Sequence, residues 1–378
     1  MKTSILLPAL LVSATFVAAA GEETKKGPLK RIEPARGLFA LTNTNNSVIR
    51  NGRRLDLFEY PVSGVTNYTV WRNFEPEQGK FNPAGFNRLL TRAAETDKRL
   101  GFALLLAARG PEWVFDVTGC EPFETTRTPN RKGMRDKVFH DRCYLHYIET
   151  DAGRVLNEPV LDVIDRTVHS FADIVRAHPD RGHLQYIAMT GWPIGNGLEL
   201  HLPLKYDPFV RFNFDEKGKR LYIQFCKRIV DIYLDAFPEV PLGIAFADKW
   251  GVTPEGDPIR SLEVPRAIVG YALERGRELN AQVIPMGLWM AWTGIHRSEG
   301  HPMRRAMRDF QKMGATGIAL EGPMGSWKHK NYGTIEEQLD FALEMDVIWA
   351  QLWHHDIIRE GNGATLEKYN ERLRAPRR

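Results

Sequence analysis

Residues 65–107 read VTNYTVWRNFEPEQGKFNPAGFNRLLTRAAETDKRLGFALLLA. An apolar run, 65–71, is followed after Asn82-Pro83 by Phe86, Leu89, Leu90 and Ala93, and a second apolar run, 101–107, closes the stretch. Apolar residues at i, i+3, i+4 and i+7 share one helix face, and proline after asparagine marks a helix start. Strand, helix, strand in this order is the unit that joins parallel neighbours. The pattern recurs along the chain, with further apolar runs at 37–41 (GLFAL), 185–190 (QYIAMT), 241–247 (PLGIAFA), 282–289 (QVIPMGLW), 316–320 (TGIAL) and 347–353 (VIWAQLW). Amphipathic segments lie between them. One at 159–177 turns Val160, Ile164, Val168, Phe171 and Val175 to one face, another at 219–237 stops before Pro238, and Thr334 with Glu337 forms a capping-box pattern ahead of Leu339 and Ala342. The segment between the first two runs is short and carries no helix pattern.

Strands that are apolar throughout suit a parallel sheet covered on both faces. Eight of them alternating with helices most simply close into a (β/α)8 barrel, an α/β fold in which no sheet edge is left unpaired. A doubly wound α/β sheet is the alternative, but it calls for a Gly-x-Gly-x-x-Gly turn after an early strand, and none occurs there. The expected organisation is a barrel over 36–370 with long excursions at 115–157 and 202–216.

The remaining segments have simpler readings. Residues 1–20, MKTSILLPALLVSATFVAAA, have the charged start, apolar run and small residues of an export signal cleaved near Ala20, so the expected location is periplasmic or secreted. A basic linker, 21–35, and a basic tail, 371–378, carry the positive charge behind the formal net value of +4. The body between them is near neutral and offers no continuous phosphate-binding stripe, which argues against nucleic acid as a partner. No later stretch has the length of apolar chain that spans a bilayer. The chain has 3 cysteines, too few for a disulfide framework. Cys226 shares an apolar helix face with Tyr222, Phe225, Ile229 and Tyr233, as a buried thiol would. Cys120 and Cys143 share one loop, where a bridge and two thiols are both open.

In a barrel of this kind chemistry sits at the carboxyl ends of the strands. Those ends carry Arg72, Trp113, Trp192, Asn196, Glu199, His201, Asp248, Trp250, Trp289, Trp292, Glu321, Trp327, Trp353 and His354. Of the 9 tryptophans, all but Trp349 fall at or just beyond a strand end. Flat aromatic faces stack on the C–H faces of sugar rings, and carboxylates, Asn, His and Arg take the hydroxyls, so a saccharide is the expected partner. Glycosidic hydrolysis with retention needs two carboxyl groups about 5–5.5 Å apart. Glu199 beyond strand four and Glu321 at the end of strand seven are the candidate pair. Glu321 directly follows an apolar strand, where a charge is costly unless it is used or paired. Glu75 reads as a structural hydrogen-bonding group, and Arg72 as a partner for the nucleophile or for a substrate acid. Adjacent His354, His355 and Asp356 lack metal-binding spacing, so neither a metal nor a cofactor is expected. No Gly-x-Ser-x-Gly elbow is present.

The stretch Trp71-Arg72-Asn73-Phe74-Glu75-Pro76-Glu77-Gln78-Gly79-Lys80-Phe81, with Pro111-Glu112-Trp113 after strand three, resembles the clan A glycoside hydrolases, in particular the family 42 and family 35 β-galactosidases. The resemblance implies a (β/α)8 barrel and a retaining mechanism, with the acid/base at strand four and the nucleophile at strand seven. The clan's Asn-Glu at strand four is here Asn196-Gly197. Glu199, followed by His201, is the nearest carboxylate, and the Glu-x-His arrangement is similar to one in looser relatives. The expectation is an exported retaining β-glycosidase, β-galactosidase-like, acting on a plant or algal saccharide without a cofactor. The alternatives are a saccharide-binding barrel that has lost its acid/base, and a lyase acting on sugar acids.

Overall fold

The computed structural model describes residues 30–42, 47–50, 53–107, 110–120, 122–127, 139–193, 199–202, 215–252, 258–291, 293–320 and 332–375. Eight parallel strands form the barrel: β1 (Gly37–Thr42), β2 (Gly64–Val70), β3 (Arg99–Leu105), β4 (Leu184–Ala188), β5 (Leu242–Val252), β6 (Val283–Gly287), β7 (Gly317–Ala319) and β8 (Trp349–Trp353). Each pairs with the next in chain order, and β8 pairs with β1 through Gly37↔Trp349 to Leu41↔Trp353, which closes the sheet. Every apolar run identified in the sequence is one of these strands. The boundaries differ most at β5, which runs on to Val252 and pairs beyond the barrel with Glu199–Leu202 and Pro258–Arg260.

The outer layer is helical: α1 (Ala84–Glu95), α2 (Glu158–Ala177), α3 (Glu216–Ala236), α4 (Glu263–Glu278), α5 (Pro302–Gln311), α6 (Ile335–Glu344) and α7 (Gly363–Arg374). Helix α1 buries Phe86, Leu89, Leu90 and Ala93, the face its spacing dictates, but Pro83 itself is the N-cap and Asn82 does not cap. Asn157 caps α2 by accepting from the Val160 amide. The Thr334–Glu337 capping box is present in both directions. Between β1 and β2 the helix is replaced by an antiparallel hairpin, Ser47–Arg50 with Arg53–Asp56, and a 3-10 turn, Leu57–Glu59, capped by Asp56. Between β3 and α2 come the short helix Glu112–Thr118 and two antiparallel hairpins, Phe123–Arg127 with Phe139–Cys143 and Tyr147–Thr150 with Gly153–Leu156. Among the described residues no helix is long and apolar enough to cross a membrane.

Alternation along the strands sends Leu38, Ala40, Phe102, Leu104, Ile244 and Phe246 outward against the helices, and Phe39, Ala103, Tyr186, Ala188, Ile284 and Trp349 into the barrel. The rings of Tyr186 and Trp349 stack at 5.0 Å with an interplanar angle of 1°. Gln351 donates to Thr66 Oγ1 at 3.0 Å and to the Tyr186 hydroxyl at 2.5 Å, so these polar groups within the barrel are hydrogen-bonded to one another. The rings fit because glycines face them: a Cβ at Gly101 or Gly243 would stand 2.6 or 2.7 Å from Tyr186, and one at Gly317 would stand 2.6 Å from Trp349. Cys226 is buried on α3 as its spacing predicts, and burial pushes its thiol well above the usual range. Cys120 and Cys143 are thiols, with no bridge between them; Cys120 Sγ lies against the Asn157 side chain.

Candidate functional site

The carboxyl-end layer of the barrel is built largely from small side chains, with Ala245, Ala247 and Ala319 beside Met286 and Leu288. Strand four reaches the mouth of the barrel in two pieces. The first ends with Ala188 opposite Gly243 of β5, and the chain returns as Glu199–Leu202 with Glu199 opposite Ala245. Glu199 therefore takes up the strand-four register about 6–7 Å further along β5, at the rise of a strand. Its backbone position is level with a residue of the mouth layer, two residues after Gly197 in the sequence.

Trp289 stands at the end of the sixth strand, half-buried against the mouth layer, and has a positive φ of 53°. A bulky residue in the left-handed region is a conformational outlier, of the kind that clusters at functional sites. Its neighbours hold it there: the Leu288 amide donates to Phe246 O at 3.0 Å and the Met290 amide to Ala319 O at 3.1 Å. No sequence pattern signals this backbone. At the end of β8, His354 is 8% exposed, and its Nδ1 donates to Leu41 O at 3.3 Å. Burial, reinforced by the neighbouring His355, lowers its pKa to about 4. The ring is therefore neutral near pH 7, and with Nδ1 protonated toward the carbonyl, Nε2 keeps an acceptor lone pair. Trp353 lies edge-on to it at 5.9 Å and remains half-exposed.

The strand-two motif resolves into a self-contained corner. Glu75 is fully buried and accepts from Trp71 Nε1 (2.9 Å), Thr167 Oγ1 (2.9 Å), the Gly79 amide (2.8 Å) and Arg166 (3.1 Å). Gly79 reaches that carboxylate with a φ of +74°, which explains a glycine four residues after the glutamate. Phe81 packs on Phe74 at 5.9 Å. Trp71, Glu75, Gly79 and Phe81 of the motif thus each have a structural role. Trp113 belongs to the same corner: its Nε1 donates to Glu75 O at 3.1 Å, its ring meets Trp71 edge-on, and the Arg166 guanidinium lies 4.9 Å from its centroid. Arg72 points away from this corner and is exposed.

Three expected contacts need correction. Trp192 and Trp250 are 1% and 3% exposed within the core between barrel and helices, Trp250 edge-on to Tyr222 of α3, so neither offers an open face to a sugar. Trp250 also lies inside β5, because that strand outruns its apolar segment. Asp248 is on the same outward side, and Arg260 holds both of its oxygens at 2.7 and 2.9 Å. The structure thus brings Glu199, Trp289, Trp353 and His354 to the carboxyl-end rim and takes Trp192, Trp250 and Asp248 away from it. For Glu199 and His201 only the backbone is described, and Asn196, Trp292, Glu321 and Trp327 lie outside the described residues. Among the described residues no cluster of three His, Cys, Asp or Glu could hold a metal ion.

No family model matches the sequence, and no curated protein matches it. Solved structures do match the fold. The catalytic domain of β-amylase from Paenibacillus polymyxa aligns over 91% of this chain and 100% of its own, at 10% identity and a TM-score of 0.54. Xylanase B from Clostridium stercorarium F9 aligns over 84% of this chain and 86% of its own, at 10% identity and a TM-score of 0.42. A psychrophilic glycoside hydrolase family 10 endo-β-1,4-xylanase aligns over the same shares at 9% identity and a TM-score of 0.44. At such identity the likeness to the β-amylase domain concerns the fold, a closed barrel of eight parallel strands ringed by helices.

Proposed function

We propose that this chain is an exported retaining β-glycoside hydrolase, β-galactosidase-like, that cleaves a plant or algal saccharide with two glutamates. The observation that carries the reading is the return of strand four at Glu199, in register with Ala245 of the mouth layer. That return supplies a carboxylate at the strand whose usual acid/base position is occupied by Gly197. In this scheme Glu321 attacks the anomeric carbon and Glu199 protonates the departing oxygen, then takes a proton from the water that releases the sugar. Trp289, Trp353 and neutral His354 would supply a stacking face and a hydroxyl acceptor. The solved β-amylase catalytic domain, on the same barrel, is in keeping with a glycosidase but does not select this one.

The test is a screen of oligosaccharides with product analysis, followed by single variants. Glu321→Ala and Glu199→Ala should each lower kcat by about 10²-fold or more, and azide should restore turnover to Glu199→Ala by attacking the glycosyl-enzyme directly, as a nucleophile that needs no general base, with a glycosyl azide as product. Wild-type turnover in both variants sinks the assignment. Saccharide binding without any product would favour the second reading, a binding barrel, which the glycine at 197 motivates.

A further inference from the structure

A cavity of about 430 Å3 opens beside the barrel mouth at the strand-two corner, lined by the end of β2, the turn Arg72-Asn73-Phe74, and the start of α1. Its polar wall is made by Arg72, Asn73, Asn82, Thr69 and Arg88, with Tyr68 on the side nearest the barrel. The local fold dictates this convergence. In the short helix Trp71–Phe74 the two large apolar residues turn into the core, which leaves Arg72 and Asn73 outward. On α1 the buried face is Phe86, Leu89, Leu90 and Ala93, which leaves Arg88 exposed. The two arginines therefore come from separate elements to one cavity, and no carboxylate lines it. Nearby acids are engaged elsewhere: Glu75 is enclosed by its four donors, and Glu77 pairs with Lys80. Tyr68, which lines the cavity, also packs against the cluster inside the barrel.

The first turn of α1 (Ala84, Gly85, Phe86) also lines the cavity, and no side chain caps it. A recess of this volume is within the range of ligand pockets, and a guanidinium presents a planar fork of donors that suits an oxyanion.

We propose that this cavity binds the acid group of an anionic saccharide, carboxylate or sulfate ester, so that the substrate is an acidic rather than a neutral oligosaccharide. The inference rests on the saccharide reading above but not on cleavage. It is tested by calorimetry on the full chain with three probes: a galacturonate trisaccharide, a sulfate-ester galactotriose and neutral galactotriose. At least one acidic probe should bind about tenfold or more tighter than the neutral one, and the preference should shrink as salt rises. The two acidic arms distinguish a carboxylate from a sulfate ester. Arg72→Gln and Arg88→Gln should each lower the ratio of acidic to neutral affinity by about fivefold or more. The corresponding lysine variants, which keep the charge without the fork, should recover part of it, a pattern that misfolding would not produce. Equal affinity for acidic and neutral probes, failure of both acidic probes to bind, or an acidic preference that survives both glutamine variants overturns the proposal. Cleavage of neutral galactosides with no acidic preference would remove this inference and leave the hydrolase reading. Arginine-dependent acidic binding with no cleavage of any probe would do the reverse.

Discussion

Glu75 illustrates at the level of one residue how a carboxylate in a motif can be mistaken for chemistry. Four donors converge on it from the short helix, the Gly79 turn and α2, so the side chain ties β2 to the helical layer. Glu75→Ala would leave the buried Trp71 and Thr167 donors without an acceptor, at about 1–3 kcal/mol for each such group. Its midpoint in urea should fall by an amount equal to about 3 kcal/mol, and the residual activity per folded molecule should stay near wild type. A loss of kcat with unchanged stability would instead assign it to the reaction. The sequence gives this role correctly, because a glutamate followed by proline and then glycine four residues on forms its own turn. It gives no sign of the Trp289 backbone, because a positive φ in a tryptophan is imposed by the strands on either side.

At the scale of single elements, the helices follow local rules closely. The Thr334–Glu337 box is complete, with the Thr334 amide donating to Glu337 Oε2 at 2.8 Å and the Glu337 amide to Thr334 Oγ1 at 3.2 Å. Thr334→Ala should lower unfolding stability by about 1 kcal/mol, whereas Thr334→Ser should retain most of it, as measured by denaturant titration. Equal stability in wild type and the alanine variant would show that α6 is held by tertiary packing alone. Strand limits are less local. β5 extends to Val252 because Glu199–Leu202 and Pro258–Arg260 flank it beyond the barrel. Hydrogen bonding to those neighbours, rather than the apolarity of 248–252, sets its length, and so Trp250 and Asp248 lie within a strand and not on a rim.

The whole molecule is held by closure of the sheet and by the filling of its interior. Stacked Tyr186 and Trp349 occupy the space that glycines on β3, β5 and β7 leave open. Gly243→Ala places a methyl 2.7 Å from the Tyr186 ring and should cost about 1–3 kcal/mol, read as a lower Tm. Combining it with Tyr186→Leu should cost less than the two changes separately, since the second removes the ring that the first meets. Additive losses would show that the overpacking arises elsewhere. Closure also accounts for the site: it is the ring of strand ends that brings Trp289, Trp353, His354 and the Glu199 segment to one rim.

Continuous apolar runs and helical spacing determined that this chain forms eight strands with helices between them, because those patterns record which faces must leave water. They also determined the structural fate of Cys226 and the Thr334 cap, whose partners lie on one helix face or within a few residues, and of Glu75 as far as its Trp71 and Gly79 donors, the other two coming from α2. Only the tertiary structure decided which strand-end side chains stand at the mouth and which are packed away. Trp192, Trp250 and Trp289 look alike in sequence, but the layer each ring enters depends on strand register and on neighbours tens of residues distant. The arginine-lined cavity is of the same kind: Arg72 and Arg88 share no motif, and only the crossing of β2 and α1 places them on one wall.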